Sequence, residues 1–127
     1  MANDLGKLIL RLTLGVLILL HGIAKITGGT AGIQKMLEGH GLPGFFAFGV
    51  YLGEVLAPIL LILGFYARVG AAVIVVNMLF AILLVHRADL FLITKSGGWG
   101  IELQAFFLFT AVAVALIGPG RFGINQR

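Results

Sequence analysis

A carboxylate inside an apolar run is the first feature of this sequence with chemical potential. Glu54 lies near the middle of Phe45 to Phe65, within Tyr51-Leu52-Gly53-Glu54-Val55-Leu56-Ala57-Pro58. A charge at the centre of a membrane helix costs roughly 2.5–3.5 kcal/mol on insertion scales, so such a residue is expected to face other helices that supply partners. His21 and Lys25 stand at i, i+4 spacing and share one helix face. Asn77 sits mid-way along a third apolar run, and Glu102 opens a fourth. Imidazole, ammonium, carboxylate and amide groups can bind a polar head group, pass protons to it, or only tie helices together. A carboxyl group in apolar surroundings favours its neutral form, which suits proton exchange. The plainer reading of each residue is structural: Lys25 reaching headgroups, Asn77 bonding across helices, Glu102 favouring a positive helix N-terminus.

The elements that must position these residues follow from composition. Of 127 residues, 60% are hydrophobic and 11% charged, against about 25% charged in a soluble domain. So short a chain cannot bury that much apolar surface within itself, and lipid must solvate part of it. The expected fold is an all-α membrane protein with four transmembrane helices in an antiparallel bundle. It forms a single domain over residues 1–127, with spans at 5–26, 45–65, 69–85 and 101–117. The first run is longer than a signal-peptide core and lacks a small-x-small site before Lys25, so it is expected to stay as a helix. Asp4 is its expected N-cap, and Lys7 and Arg11, one turn apart, are expected to snorkel to one interface.

Residues 27–44 form a Gly-rich connection in which Ala31 to Glu38 can make a short interfacial helix. His40 beyond it reads as a solvated loop residue. Gly49-x-x-x-Gly53, extended to Ala57, is a small-residue stripe that lets another helix approach closely. Pro58 cannot donate to the carbonyl of Glu54, which predicts a kink beside the carboxylate. Tyr66-Ala67-Arg68 is a short turn, making the second and third runs antiparallel neighbours. His86 and Arg87 belong at an interface, and Trp99 in an aromatic belt. Gly118-Pro119-Gly120 stops the last helix.

Charge and composition also exclude. The net charge of +4 arises from basic residues at the ends of apolar runs, which suits headgroups and topology rather than nucleic acid. With no cysteine, thiolate catalysis, disulfide exchange and cysteine-ligated clusters are excluded for this chain. No nucleotide-binding loop, His-Glu-x-x-His pattern or serine elbow occurs. Nothing in the spacing of His21, Glu54 and Glu102 demands a metal, and none is expected.

Four spans place both termini and the Arg68 turn on one side, with Lys7, Arg11, Arg68, Arg121 and Arg127. Lys25, Lys35, Arg87 and Lys95 fall on the other. This bias predicts a multi-pass membrane protein with both termini cytoplasmic. His21, Lys25, His86, Glu102 and Gln104 then occupy the outer half, with Glu54 and Asn77 near mid-depth; in the cytoplasmic half only Arg11 is expected to reach inward. His86 is about half a turn out of phase with Asn77 on a regular helix. The expected inner set is therefore His21, Glu54, Asn77 and Glu102, with Lys25 and Gln104 as additions. Phe106, Phe107 and Phe109 are candidate walls.

Several motifs occur in a fixed order: Leu10-Arg11-Leu12 with Gly15, His21-Gly22-x-x-Lys25, Gly41-Leu42-Pro43, Glu54, Leu63-Gly64-Phe65-Tyr66-Ala67-Arg68, Trp99-x-x-Glu102 and Gly118-Pro119-Gly120-Arg121. In order and spacing the whole chain resembles the DoxX family of small four-helix bacterial and archaeal membrane proteins. It departs where Gly-Ile follows Phe122, in place of the family's Ser-Leu or Ser-Ile and Asp. The family is named for a small subunit of a thiosulfate:quinone oxidoreductase, and a related mycobacterial protein is associated with a membrane-bound oxidative-stress complex. The resemblance therefore implies a redox-linked membrane component with quinone as the candidate ligand. It also implies a multi-pass protein of the bacterial or archaeal plasma (inner) membrane with a redox partner subunit within the lipid bilayer. A homo-oligomer is the candidate assembly on a transport reading, because four short helices enclose little volume. Two other readings stand beside it: a small-molecule or ion permease, and a structural subunit whose polar residues only fix helix packing.

Overall fold

The computed structural model describes residues 1–29, 31–84 and 87–127, without the side chains of Phe45, Phe46 and Arg87. Its elements are α1 (Ala2–Gly28), α2 (Ala31–Gly39), α3 (Ala57–Leu63), α4 (Ala67–Leu84) and α5 (Glu102–Ile117). No strand occurs among the described residues, only an isolated bridge between Ile93 and Trp99. Helices α1 and α4 are long and apolar enough to cross a membrane, while Ala47–Leu63 and α5 are shorter apolar helices. His86 and the end of the third expected span at Val85 lie outside the described residues.

The buried face of α1 is Arg11, Leu14, Gly15, Ile18 and Gly22, a stripe at helical spacing. It packs on α3 and α5, and α4 closes the arrangement by packing on both of those helices. Leu14, Ile18, Leu61, Ile74, Phe107 and Val114 are core residues drawn from all four. Large apolar side chains remain on the outside of the same helices, including Ile9, Leu20, Val76, Leu83, Phe106 and Leu116. An outward apolar surface of this extent is what lipid covers.

The second apolar run is not one regular helix. It begins as a 3₁₀ segment (Gly44–Gly49), passes through a π-helical segment (Leu52–Leu56) and continues as α3. Pro58 removes the donor that an α-helix would aim at the Glu54 carbonyl. The backbone responds by widening: the Ala57 N–H reaches back five residues to the Leu52 carbonyl. The expected kink is therefore a π segment, the usual way a helix absorbs one residue too many. Gly49 does not extend the close-packed stripe, since a side chain there would meet nothing within 4 Å.

At the end of α3, Gly64 takes the left-handed conformation at φ 67° that favours glycine. Tyr66 follows at φ 49°, and the chain reverses directly into α4. Two expectations for the N-terminus change. Asp4 lies inside the first turn of α1, and its Oδ1 accepts the Arg121 backbone N–H at 3.2 Å. Arg11 does not snorkel: it is fully buried.

Candidate functional site

The His21-Gly22-x-x-Lys25 stretch of α1 packs on the π segment. A Cβ on Gly22 would lie 2.0 Å from the Glu54 carbonyl oxygen and 2.7 Å from its carbon. Only glycine allows the two backbones this close. The carbonyl that Pro58 cannot serve is thus turned onto α1, and the widened turn brings the Glu54 carboxylate to Lys25. Lys25 Nζ donates to Glu54 Oε2 in an ion pair. The glutamate side chain is 6% exposed and the lysine 32%. Lys25 therefore turns inward, where reaching headgroups was the simpler expectation. A buried carboxylate beside hydrocarbon is tolerable once a cation and hydrogen bonds compensate it. Tyr51 Oη adds a link by donating to the Lys25 carbonyl at 3.3 Å.

Beside this pair lies a cavity of about 890 Å³, mostly apolar, bounded by α1, α2, the π segment, α4 and α5. Such a volume suits a drug-sized or cofactor-sized molecule. Met36 and Leu37 of α2 close one part of it, so the interfacial helix forms a wall of the cavity. Asn77 lines it from α4, with Cβ and Cγ against Gly53: a Cβ on that glycine would be 2.5 Å from each. Among the described residues the Asn77 amide makes no side-chain hydrogen bond, in place of the interhelical bond expected. Gln104 lines the cavity from α5.

His21 borders the cavity while remaining exposed. Its Nδ1 stands 2.9 Å from the Leu17 carbonyl, which can only accept. Nδ1 therefore carries the proton, and Nε2 is the acceptor in the neutral ring. The ring meets Phe107 edge to face, 5.7 Å between centroids. Of the three candidate walls, Phe107 alone lines the cavity; Phe106 and Phe109 are 69% and 66% exposed and point outward.

Glu102 does not join the inner set. It is exposed at the first turn of α5, beside the connection, where a Cβ on Gly98 would lie 3.3 Å from its Oε2. Its place at the helix N-terminus matches the electrostatic reading instead. The structure thus gathers His21, Lys25, Glu54, Asn77 and Gln104 around one cavity and leaves Glu102 outside. Among the described residues no group of three His, Cys, Asp or Glu side chains gathers as a metal site. Chemically, the site offers an internally neutral ion pair, a neutral amide and an imidazole acceptor at the edge of an apolar volume. That set suits a hydrophobic molecule carrying a small uncharged polar head.

A second buried charge sits at the other end. Arg11 Nη1 donates to the Leu61 carbonyl at 2.9 Å, and Nη2 donates to the Phe122 carbonyl. A Cβ on Gly64 would be 2.4 Å from Nη1, so the glycine turn also makes room for the guanidinium. The signal was present in sequence: Arg11, Leu14, Gly15, Ile18 and Gly22 share one helical face. Proximity to the N-terminus suggested snorkelling instead.

A family model described as DoxX matches residues 6–87. The chain belongs to the DoxX family. The chain is 30% identical over 115 residues to "Putative oxidoreductase CatD" of Bacillus subtilis (strain 168), covering 91% of this chain and 81% of that one. It is 29% identical over 133 residues to "Inner membrane protein YqjF" of Escherichia coli (strain K12), covering 98% and 92%. No solved structure matches the chain. The outward apolar surface of the helices accords with a DoxX membrane protein.

Proposed function

We propose that this DoxX protein is a four-span inner-membrane component of a redox-linked system, with both termini cytoplasmic, whose cavity holds a hydrophobic ligand of the quinone class. The observation that carries the reading is the 890 Å³ apolar cavity ending at the Lys25–Glu54 pair. A quinone head group is flat, apolar over most of its area and carries carbonyl acceptors. Lys25 and the Asn77 amide supply donors for such carbonyls, and His21 and Glu54 are groups able to exchange the protons that quinone reduction takes up. Support from outside the structure is the redox name of the Bacillus relative and the inner-membrane name of the Escherichia one. The charge bias toward the end with the termini supports the orientation. A reporter fused at the C-terminus and at residue 40 tests that orientation: an externally labelled C-terminus overturns it.

The ligand is tested by purifying the full chain from membranes in mild detergent and extracting it for quinones. The expected result is quinone near stoichiometric with protein in the wild type, reduced at least tenfold in Lys25→Gln. Wild-type protein free of quinone that also fails to bind added short-chain quinone sinks the assignment.

One observation favours a second reading. The Gly22–Glu54 contact and the Lys25–Glu54 pair both tie α1 to the π segment. On that reading the polar residues are a packing lock. It predicts that Glu54→Gln alters stability but no partner-dependent activity.

A further inference from the structure

The net charge of this protein is concentrated at one end. The end with both termini carries Lys7, Arg11, Arg68, Arg121 and Arg127 against the single carboxylate side chain of Asp4. The other half has Lys25, Lys35, Arg87 and Lys95 against Glu38, Glu54, Asp89 and Glu102, which balances. The whole formal charge of +4 therefore belongs to the terminal end.

Three of those five basic groups are engaged by the protein. Arg11 is buried on carbonyls. Arg68 Nη1 donates to the Ala115 and Leu116 carbonyls at 3.3 and 3.2 Å, at the C-terminus of α5. Arg127 donates to Tyr66 Oη at 2.9 Å and lies over that ring. Lys7 and Arg121 differ: neither forms a salt bridge among the described residues, although Arg121 lies 6.0 Å over the Phe122 ring and the Asp4 carboxylate stands near both. Yet they are held together. A Cβ on Gly120 would be 3.2 Å from Lys7 Cβ, and the Arg121 N–H is fixed on Asp4. Beyond Arg121 the tail is stitched to the α3–α4 turn: the Ile124 N–H donates to the Leu63 carbonyl, the Asn125 N–H to the Gly64 carbonyl, and Asn125 Oδ1 accepts the Tyr66 N–H. Lys7 and Arg121 thus stand on a fixed backbone, with the exposed Leu10 one helical turn from Lys7 and the exposed Phe122 next to Arg121.

We propose that this end binds an anionic phospholipid, its phosphate held by Lys7 and Arg121 and its acyl chains lying against the adjoining apolar surface. Two fixed cations that share one carboxylate, Asp4, leave a net positive charge at the end of an apolar helix where headgroup phosphates lie, which matches that chemistry. A preorganised site loses little entropy on binding. The inference rests on the spanning arrangement proposed above but not on the quinone-class ligand, and the readout below contains no quinone.

The test uses the full chain in vesicles of equal phosphatidylcholine and phosphatidylglycerol, extracted in mild detergent and weighed by native mass spectrometry. Retained lipid is expected to be enriched in phosphatidylglycerol. Each basic residue near the surface contributes about five-fold in affinity, so Arg121→Gln should lower the enrichment about five-fold and Lys7→Gln/Arg121→Gln should abolish it. Lys35→Gln/Lys95→Gln, exposed at the balanced end, should leave it intact. Equal retention of the two lipids by the wild type overturns the proposal, as does full enrichment in the Lys7/Arg121 double variant. Loss of phosphatidylglycerol to millimolar inorganic phosphate would make free phosphate the occupant and overturn the lipid assignment.

Discussion

Arg11 and Glu54 are both charged, both buried and both expensive to place in an apolar interior, yet their surroundings differ in kind. Among the described residues Arg11 has no carboxylate partner: Nη1 and Nη2 donate hydrogen bonds to the Leu61 and Phe122 carbonyls and the buried Nε has no acceptor, in a region packed so closely that Gly64 has no room for a side chain. Glu54 has an ionic partner in Lys25 and sits beside a large cavity. A charge used only to hold backbone is best sealed on all sides, because every void or alternative partner weakens it. A charge beside open volume keeps the freedom to meet something that enters. The contrast separates a clamp from a site.

Removing the clamp should have the largest effect. Arg11→Ala deletes the donors to two carbonyls and leaves a void beside the turn. The Phe122 carbonyl loses its donor while the Leu61 carbonyl keeps the Gly64 N–H. The larger cost is the cavity left by a fully buried side chain. Large-to-small core changes cost about 2–5 kcal/mol, so a loss of about 4 kcal/mol is expected, read as thermal unfolding in detergent. Trypsin should also cut faster after Arg121 as the tail detaches. Arg11→Met restores volume but not the donors, and should recover only part of the loss. If Arg11→Met matched the wild type, the guanidinium would not be the clamp and the contrast would fail.

Gly22→Ala comes next. Its methyl would collide with the Glu54 carbonyl, and backbone cannot move aside as a flexible side chain can. Overpacking of this kind costs about 1–3 kcal/mol. Because the strain falls on the α1–π segment contact, the Lys25–Glu54 pair should be disrupted together with stability. Wild-type stability in Gly22→Ala would mean that the two segments are less closely apposed than described.

Glu54→Gln sharpens the comparison most. It leaves Lys25 without its counter-charge, but that ammonium is partly exposed, so screening moderates the cost to about 1–2 kcal/mol. A double-mutant cycle with Lys25→Gln gives the pairwise coupling directly. A loss as large as that of Arg11→Ala, with ligand binding unchanged, would make Glu54 a second clamp and favour the packing lock. A modest loss of stability with a large loss of ligand supports a site.

How much of this was legible beforehand depends on the kind of signal. Helices α1 and α5 are apolar runs closed by Gly29 and Gly118, and run length with glycine punctuation is enough to place them. The burial of Glu54 among other helices was legible because a carboxylate in an apolar run has few tolerable environments. Its partner was not, since Lys25 lies close enough to the end of α1 for either headgroups or an inward turn to satisfy it. Pro58 pointed to a local break but not its form: a missing donor permits a kink or a π segment, and contact with Gly22 decides between them. Glu102 was misplaced because depth alone was considered. At the first residue of α5 its side chain lies against the Thr94–Gly98 connection, and one turn of helix separates lining the cavity from leaving it. The snorkelling expected of Arg11 came from the same error, weighing depth above the helical face it shares with Leu14 and Ile18.

The smallest expected effect on stability tests the cavity itself. Asn77 rests on Gly53 and faces the cavity, and its amide makes no side-chain hydrogen bond among the described residues. Asn77→Leu keeps the branched shape and the number of side-chain heavy atoms while removing donor and acceptor. Because no protein partner is lost, stability should change by less than about 1 kcal/mol. A hydrogen bond to a bound carbonyl head is another matter: its loss costs about 0.5–1.5 kcal/mol, or roughly a threefold to tenfold weaker affinity for a short-chain quinone. The pairing of unchanged melting with weakened binding is what a ligand-facing amide produces. A residue that only fixes packing would change melting and leave binding alone. If Asn77→Leu altered neither, the polar lining would not contact the ligand, and the contrast between the sealed Arg11 and the open Glu54 would reduce to a difference in packing density.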